Sequence, residues 1–395
     1  MNNKLLTYLL TNKLLVILFV SLCCITSACF LNNGSSASAD AIAGEIDYNY
    51  HIRPILSDRC FQCHGPDANK READLRLDTE EAAYAGLKDN PKFHAVVPGK
   101  PHESAVWLRI VTKDTADIMP PLNSNLKLTE QEITLIEKWI KQGAKYKPHW
   151  AFTVPQKPQL PKVNDTNWPQ SPIDYFTLAK MEENGLKPNE EADKERLLKR
   201  LCLDITGLPP SLELQDRFLK DASPNAYEKL VNELLTSPHY GEKMAISWLD
   251  VARYADSHGY QDDGLRTMWP WRDWVIHAFN NNYSYSKFLT WQLAGDIIVK
   301  NQKGNLQNPR MKEAVLATGF NRNHKITQEG GVIDEEYRVE YVTDRTNTFG
   351  KTFLALTYEC AKCHDHKYDP IKQKDYYSAF AFFNQVPEKG LVGTT

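Results

Sequence analysis

Two strings in this 395-residue chain set a pair of cysteines three positions apart with a histidine directly after them: Cys60-Phe61-Gln62-Cys63-His64 and Cys360-Ala361-Lys362-Cys363-His364. On one helical turn that spacing brings two thiols and an imidazole over a single ring. The thiols suit thioether bonds to porphyrin vinyl groups, and the imidazole suits the iron. The chemistry is that of a covalently attached c-type haem. A bare C-x-x-C would serve zinc or thiol exchange equally well. The added His64, the helix leading into Cys60 and an export-like amino terminus favour haem at the first string. The second string also has His366, which opens a competing Cys2His2 zinc set of Cys360, Cys363, His364 and His366. That set crowds four ligands into seven residues, tighter than zinc sites usually are. Haem is the favoured reading there as well, ahead of zinc and of a structural or disulfide role.

An iron held by His64 takes its sixth ligand from the opposite side of the ring. Met119 is the candidate, because Pro120 and Pro121 hold its loop extended, and a thioether ligand raises the reduction potential. His94 and His102 are the fallbacks. For the second site, His366 follows His364 too closely to reach across. The candidates are His324 and His258, each also readable as a hydrogen-bonded structural histidine, and an open sixth position is a further option.

The elements that position these residues read as helices. Tyr48, Ile52, Ile55 and Leu56 share a helical face leading into Cys60, with Pro54 near its first turn or kinking it. Pro98, Gly99 and Pro101 precede a second helix through Val106, Trp107, Ile110 and Val111. Thr129 and Glu132 form a capping box for a third, lined by Ile133, Ile136 and Ile140 with Leu135 and Trp139 beside them, and Gly143 ends it. Residues 147–172 are rich in proline and read as an extended linker. Beyond it, Leu197, Leu198, Leu201 and Ile205 make another stripe. Ser211 caps the next helix, and helices over 226–235 and 244–254 follow. No strand-like alternation is apparent. The expected fold is therefore mainly α: a cytochrome c-like haem domain over 46–146, the linker over 147–172, and a larger helical domain over 173–395 with the second CxxCH.

The first 29 residues read as a signal peptide. Lys4 and Lys13 precede the apolar run Leu14–Ile25, which is too short for a permanent span. Small residues before Cys29 resemble a lipoprotein processing site, with lipid on Cys29 anchoring the chain to a membrane. Thr26 departs from that pattern, and cleavage near Ala37-Ser38-Ala39 is the alternative. Residues 30–45 form a flexible tether. This places the protein outside the cytoplasm, periplasmic or in the cell envelope. Cys202 reads as a core residue. The net charge of −3 and the absence of a basic block exclude a compositional case for nucleic-acid binding.

Trp248, Trp269, Trp271, Trp274 and Trp291 read as buried aromatics rather than a sugar-stacking surface. The acidic stretch Glu329, Asp334-Glu335-Glu336 and Asp344-Arg345 reads as a solvated, salt-bridged helix start rather than a cation site. No P-loop, dinucleotide fingerprint or nucleophile elbow is present.

Residues 46–148 resemble the planctomycete-type cytochrome c domain. The matching strings are His51-Ile-Arg-Pro-Ile-Leu56, Cys60-Phe-Gln-Cys-His-Gly-Pro66, Leu75-Arg-Leu77, Val97-Pro-Gly-Lys-Pro101, Met119-Pro-Pro121 and Trp139-Ile-Lys-Gln-Gly-Ala144. Residues 172 to about 390 resemble the domain of unknown function that usually follows it, through Leu203-Asp-Ile-Thr-Gly-Leu-Pro-Pro210, Arg253-Tyr-Ala-Asp256, Trp271-Arg-Asp-Trp274, Gln292-Leu-Ala-Gly-Asp296, Asn321-Arg-Asn-His324 and Cys360-Ala-Lys-Cys-His-Asp-His-Lys-Tyr-Asp-Pro370. The resemblance implies a haem protein. Family members usually continue into a further large domain that the sequence does not reach. The leading expectation is an exported, two-haem electron-transfer protein with an unidentified redox partner protein. The alternative is an oxidoreductase whose second domain oxidises an organic, carbohydrate-like substrate, using Arg253, Asp256, Arg272, Asp273, His324 and Glu329. A third reading is a surface-anchored scaffold in which haem is incidental.

Overall fold

Capping residues and prolines set where the helices begin. Thr129 accepts the backbone N–H of Glu132 while the Glu132 carboxylate accepts that of Thr129, closing the expected capping box. Ser211 accepts the N–H of Leu214 at the head of its helix. The computed structural model describes residues 44–301 and 306–391, so the signal, the tether and Cys29 lie outside the described residues. Two compact units divide between Ala151 and Phe152.

In the first unit a tight π turn, Tyr48–Ile52, runs into α1 (Arg53–Arg59), with Pro54 in its first turn. Then come α2 (Phe61–His64) and α3 (Glu80–Tyr84). Next is an antiparallel hairpin, β1 (Gly86–Leu87) and β2 (Asn90–His94). Its strands are too short to leave an alternating pattern in the sequence. Helices α4 (Ala105–Val111) and α5 (Glu130–Lys141) complete the unit. The faces expected to be apolar meet in one core: Tyr48, Ile52, Ile55, Leu56, Ile136 and Ile140, with Trp139 between Tyr48 and Tyr146. Gly143, at φ +100°, ends α5.

The second unit is also helical: α6 (Pro172–Glu183), α7 (Lys194–Ile205), α8 (Leu212–Lys220), α9 (Ala226–Leu235), α10 (Pro238–Val251), α11 (Trp269–Asn280), α12 (Tyr285–Asn301), α13 (Pro309–Ala317), α14 (Asp334–Leu354) and α15 (Gln373–Phe383). Helix α10 starts six residues before the expected Met244, because Ser237 caps it and Pro238 takes its first position. Leu198 and Cys202 share a small core with Phe218, Leu230 and Leu234. The main core holds Trp271, Trp274 and Trp291 with Trp248 packed against them, as expected of buried aromatics; Trp269 is exposed. The acidic run Asp334–Glu336 forms the first turn of α14. Asp344 and Arg345 depart from the helix-start reading. They lie in the middle of α14, and Arg345 is buried.

Candidate haem-attachment sites

The two CxxCH strings form the same backbone turn. In the first, the N–H groups of Cys63 and His64 both donate to the Cys60 carbonyl, at 3.1 and 2.8 Å. In the second, those of Cys363 and His364 both donate to the Cys360 carbonyl, each at 3.4 Å. One carbonyl gathering both N–H groups folds the five residues into a single turn. In each turn the residue after the first cysteine is buried, Phe61 and Ala361 alike.

The first turn is pinned on several sides. The Cys63 carbonyl accepts from Glu72 N–H and the His64 carbonyl from Leu77 N–H, both at 2.8 Å. Arg59 reaches Glu132 at 3.3 Å, joining the helix before the turn to the start of α5. A side chain at Gly65 would place its Cβ 2.3 Å from the Phe61 carbonyl oxygen, so only glycine fits directly after His64. Cys60 packs against the core, and burial pushes its thiol up to about 12. A thiol so far above neutrality is a poor exchange nucleophile. Burial also holds the His64 imidazole below its ordinary value, with the Arg109 charge adding to the effect. Its Nδ1 is buried without a hydrogen-bond partner.

Met119 is held beside the same element. Its N–H donates 2.9 Å to the Arg109 carbonyl, so the methionine loop is tied to α4 at the residue whose charge reaches His64. Met119 is half-buried. Of the fallbacks, His94 has Nδ1 against the Tyr84 carbonyl at 2.8 Å. His102 is exposed and sits edge-on to Trp107.

The second turn is more open: Cys360, Cys363 and His364 are exposed. Helix α15 supports it from one side. Gln373 and Tyr377 each donate to the Lys362 carbonyl at 3.1 Å, and Tyr358, Ala361, Ile371 and Tyr376 form a small apolar cluster. His364 Nδ1 lies 2.8 Å from the Asp365 carbonyl. A carbonyl only accepts, so Nδ1 carries the proton and Nε2 keeps the lone pair that a metal needs. His366 has a different task. Its Nδ1 accepts the N–H groups of Asp369 at 2.9 Å and Tyr368 at 3.2 Å, so it clasps the loop after the turn. That leaves the zinc set without its fourth member, and no three His, Cys, Asp or Glu side chains converge as a metal set among the described residues.

The two remaining histidines part company. His324 is fully buried, with Nδ1 donating 2.8 Å to the Lys325 carbonyl and Nε2 accepting from Arg345 at 2.5 Å. Burial, then the Arg345 charge, holds its pKa down to about 2. Both nitrogens are committed, so His324 has none for an iron in this arrangement. His258 is half-buried, and its Nδ1 is buried without a partner.

The polar residues considered for catalysis are engaged by neighbouring protein groups. Arg272 pairs with Asp273, Tyr254 donates to Asp256, and Glu329 accepts the Gln261 N–H. A cavity of about 470 Å³ is lined by Leu293, Ile297, Phe349 and Phe382, with Arg322 and Asp296 among its few polar groups. Sequence reasoning missed a half-buried ion pair and nearby unsatisfied amides of the second unit. Arg253 pairs with Asp344 at 2.6 Å, and Asn323 and Asn347 carry side-chain atoms buried without partners.

Residues 60–123 match the family described as Planctomycete cytochrome C, and residues 172–388 match the one described as a protein of unknown function, DUF1549. Comparison with curated proteins and with solved structures yields no match.

Proposed function

The chain belongs to the DUF1549 family, its domain here following a planctomycete cytochrome c domain, and on that premise we propose that it is an exported di-haem c-type cytochrome that transfers electrons. The observation that carries the proposal is the shared turn. The Cys60–His64 and Cys360–His364 backbones close on themselves in the same way, and in both the residue after the first cysteine is anchored in an apolar cluster.

Each haem, when bound, would supply a one-electron iron couple. Cys60 and Cys63 would hold the first by thioethers, with His64 and Met119 as ligands to the iron. Its surroundings fit, because burial disfavours the charged form of the His64 imidazole and Cys60 packs on a core. Cys360 and Cys363 would hold the second, with His364 as axial ligand, its Nδ1 proton fixed by Asp365. As a further iron ligand His258, whose Nδ1 has no hydrogen-bond partner, is favoured over His324, whose nitrogens are both engaged. Pyridine haemochrome assay of protein matured in a c-type-competent host should give two haems per chain; one haem per chain would reject the second site. Met119→Ala should abolish the long-wavelength charge-transfer band of the oxidised protein. Persistence of that band would remove Met119 as ligand.

Attachment to a membrane through lipid on Cys29 is part of the same proposal. The wild-type chain should partition into detergent and a Cys29→Ala chain into the aqueous phase; equal partition would overturn the anchor. The cavity beside Phe349 and Phe382 supports a second reading, in which an organic substrate reduces the haems. Substrate-dependent appearance of ferrous haem would favour it over passive transfer.

A further inference from the structure

One face of α14 runs beneath the second CxxCH turn. Glu340 meets Lys362 at 3.6 Å, and Lys351 pairs with Glu359. The Tyr358 ring sits so close to Gly350 that a Cβ there would come within 2.5 Å of it. Between these contacts, Thr343 adjoins Tyr376, a member of the apolar cluster that backs the turn. Positions 340, 343, 344, 347, 350 and 351 recur at helical spacing, so they form a single stripe.

The middle of that stripe is polar and incompletely paired. Asn347 Oδ1 is buried without a hydrogen-bond partner. Asp344 is bound by Nη2 of Arg253, which reaches it from the end of α10. Arg253 Nε and Nη1 are also buried, and neither has an acceptor. Its neighbours differ. Arg345 is met by Glu388 and the Asn321 carbonyl, and Arg266 by the carbonyls of Ala255, Asn323 and His324. Burial disfavours the Arg253 charge, Asp344 offsets part of that cost, and the Arg345 and Arg266 charges add to it. A half-buried guanidinium whose Nε and Nη1 are out of solvent, with one carboxylate for its nitrogens, is short of negative charge and of acceptors.

The backbone at Arg253 sharpens the point. It has φ +60°, and it follows α10 at the kind of position where glycine is the least costly residue. An arginine kept in that conformation points to a use for its side chain. We propose that Arg253 binds a carboxylate of the haem attached through Cys360 and Cys363, with Asp344 holding the guanidinium in place. This rests on the two-haem reading above. Planar guanidinium donors match a carboxylate in geometry and charge.

The test uses the full haem-loaded chain, titrated electrochemically while its spectrum and the haem-propionate bending band in resonance Raman are recorded. Arg253→Gln should leave two haems per chain and the first redox wave in place. It should displace the second wave to lower potential, cutting the ratio of reduced to oxidised second haem at a fixed poise by about tenfold, which is about 59 mV for a one-electron couple. In the difference spectrum against wild type, the propionate band of the second haem should move. Asp344→Asn should move that band less than Arg253→Gln does. Arg253→Gly removes the guanidinium while relieving the backbone, and should reproduce Arg253→Gln if glutamine is not tolerated. Two haems with an unmoved wave and band would overturn the proposal and leave water as the partner of Arg253. A band displaced as far by Asp344→Asn as by Arg253→Gln would also overturn it, reducing the pair to a structural ion pair. One haem in the wild-type chain would instead reject the second site itself, and Arg253's role with it.

Discussion

In the first CxxCH turn the residue after the leading cysteine is a phenylalanine sunk in a core shared with Trp139 and Ile140; in the second it is an alanine pressed into a four-residue cluster. The backbone hydrogen bonds within the turns are the same in kind, but shorter in the first, 2.8 and 3.1 Å against 3.4 Å. The first turn is wrapped by residues 65–77 and tied to α5, and its leading thiol is held well above neutrality by burial. The second leaves both cysteines and His364 exposed and looks onto a polar stripe carrying Thr343, Asp344 and Asn347. On the proposed two-haem reading, the difference teaches that attachment would ask only for the turn, whereas the surroundings would decide how an iron there behaves. Apolar burial and a thioether ligand disfavour the extra charge of ferric iron. Solvent exposure and an imidazole ligand favour it. The first centre should therefore be the higher in potential.

The largest expected break in the comparison is at the cysteines. Cys360→Ala combined with Cys363→Ala should remove one of two haems, and the same exchange at Cys60 and Cys63 should remove the other, each read by haemochrome assay. Loss of both haems from either variant would mean that the two sites mature as one. Phe61→Ala comes next. It empties a buried aromatic site, and urea unfolding of the first unit should show a loss of about 3–5 kcal/mol. The counterpart at the second turn is an overpacking change. Ala361→Phe should cost about 1–3 kcal/mol, because the cluster of Tyr358, Ile371 and Tyr376 that surrounds it is small and already buried. If Ala361→Phe proved the costlier of the two, the second turn would be the more tightly packed and the contrast would reverse.

Much of the positioning framework was legible because it is local. Thr129 and Glu132 lie three residues apart and cap one helix through their own backbone. Pro54 and Gly143 act where they stand. The hairpin beside His94 was not legible, since strands of two and five residues leave no period to read. The polar stripe was hidden for a different reason. Arg253 and Asp344 are distant in sequence and meet only through packing of α10 and α14. The string Asp344-Arg345 seemed to belong with the acidic helix start at Asp334, yet the helix runs on and buries Arg345. His258 and His324 were equal candidates in sequence. The partners that separate them, Arg345 and the Lys325 carbonyl for His324, are set by tertiary structure.

The central claim is that both turns carry haem in unlike surroundings. Spectroelectrochemical titration of the full matured chain tests it most directly. The account predicts two one-electron waves of equal amplitude, with the higher-potential wave carrying the methionine-ligation band and both accounted for by two haems per chain. A single wave from one haem, or two waves that Cys360→Ala leaves untouched, would contradict it.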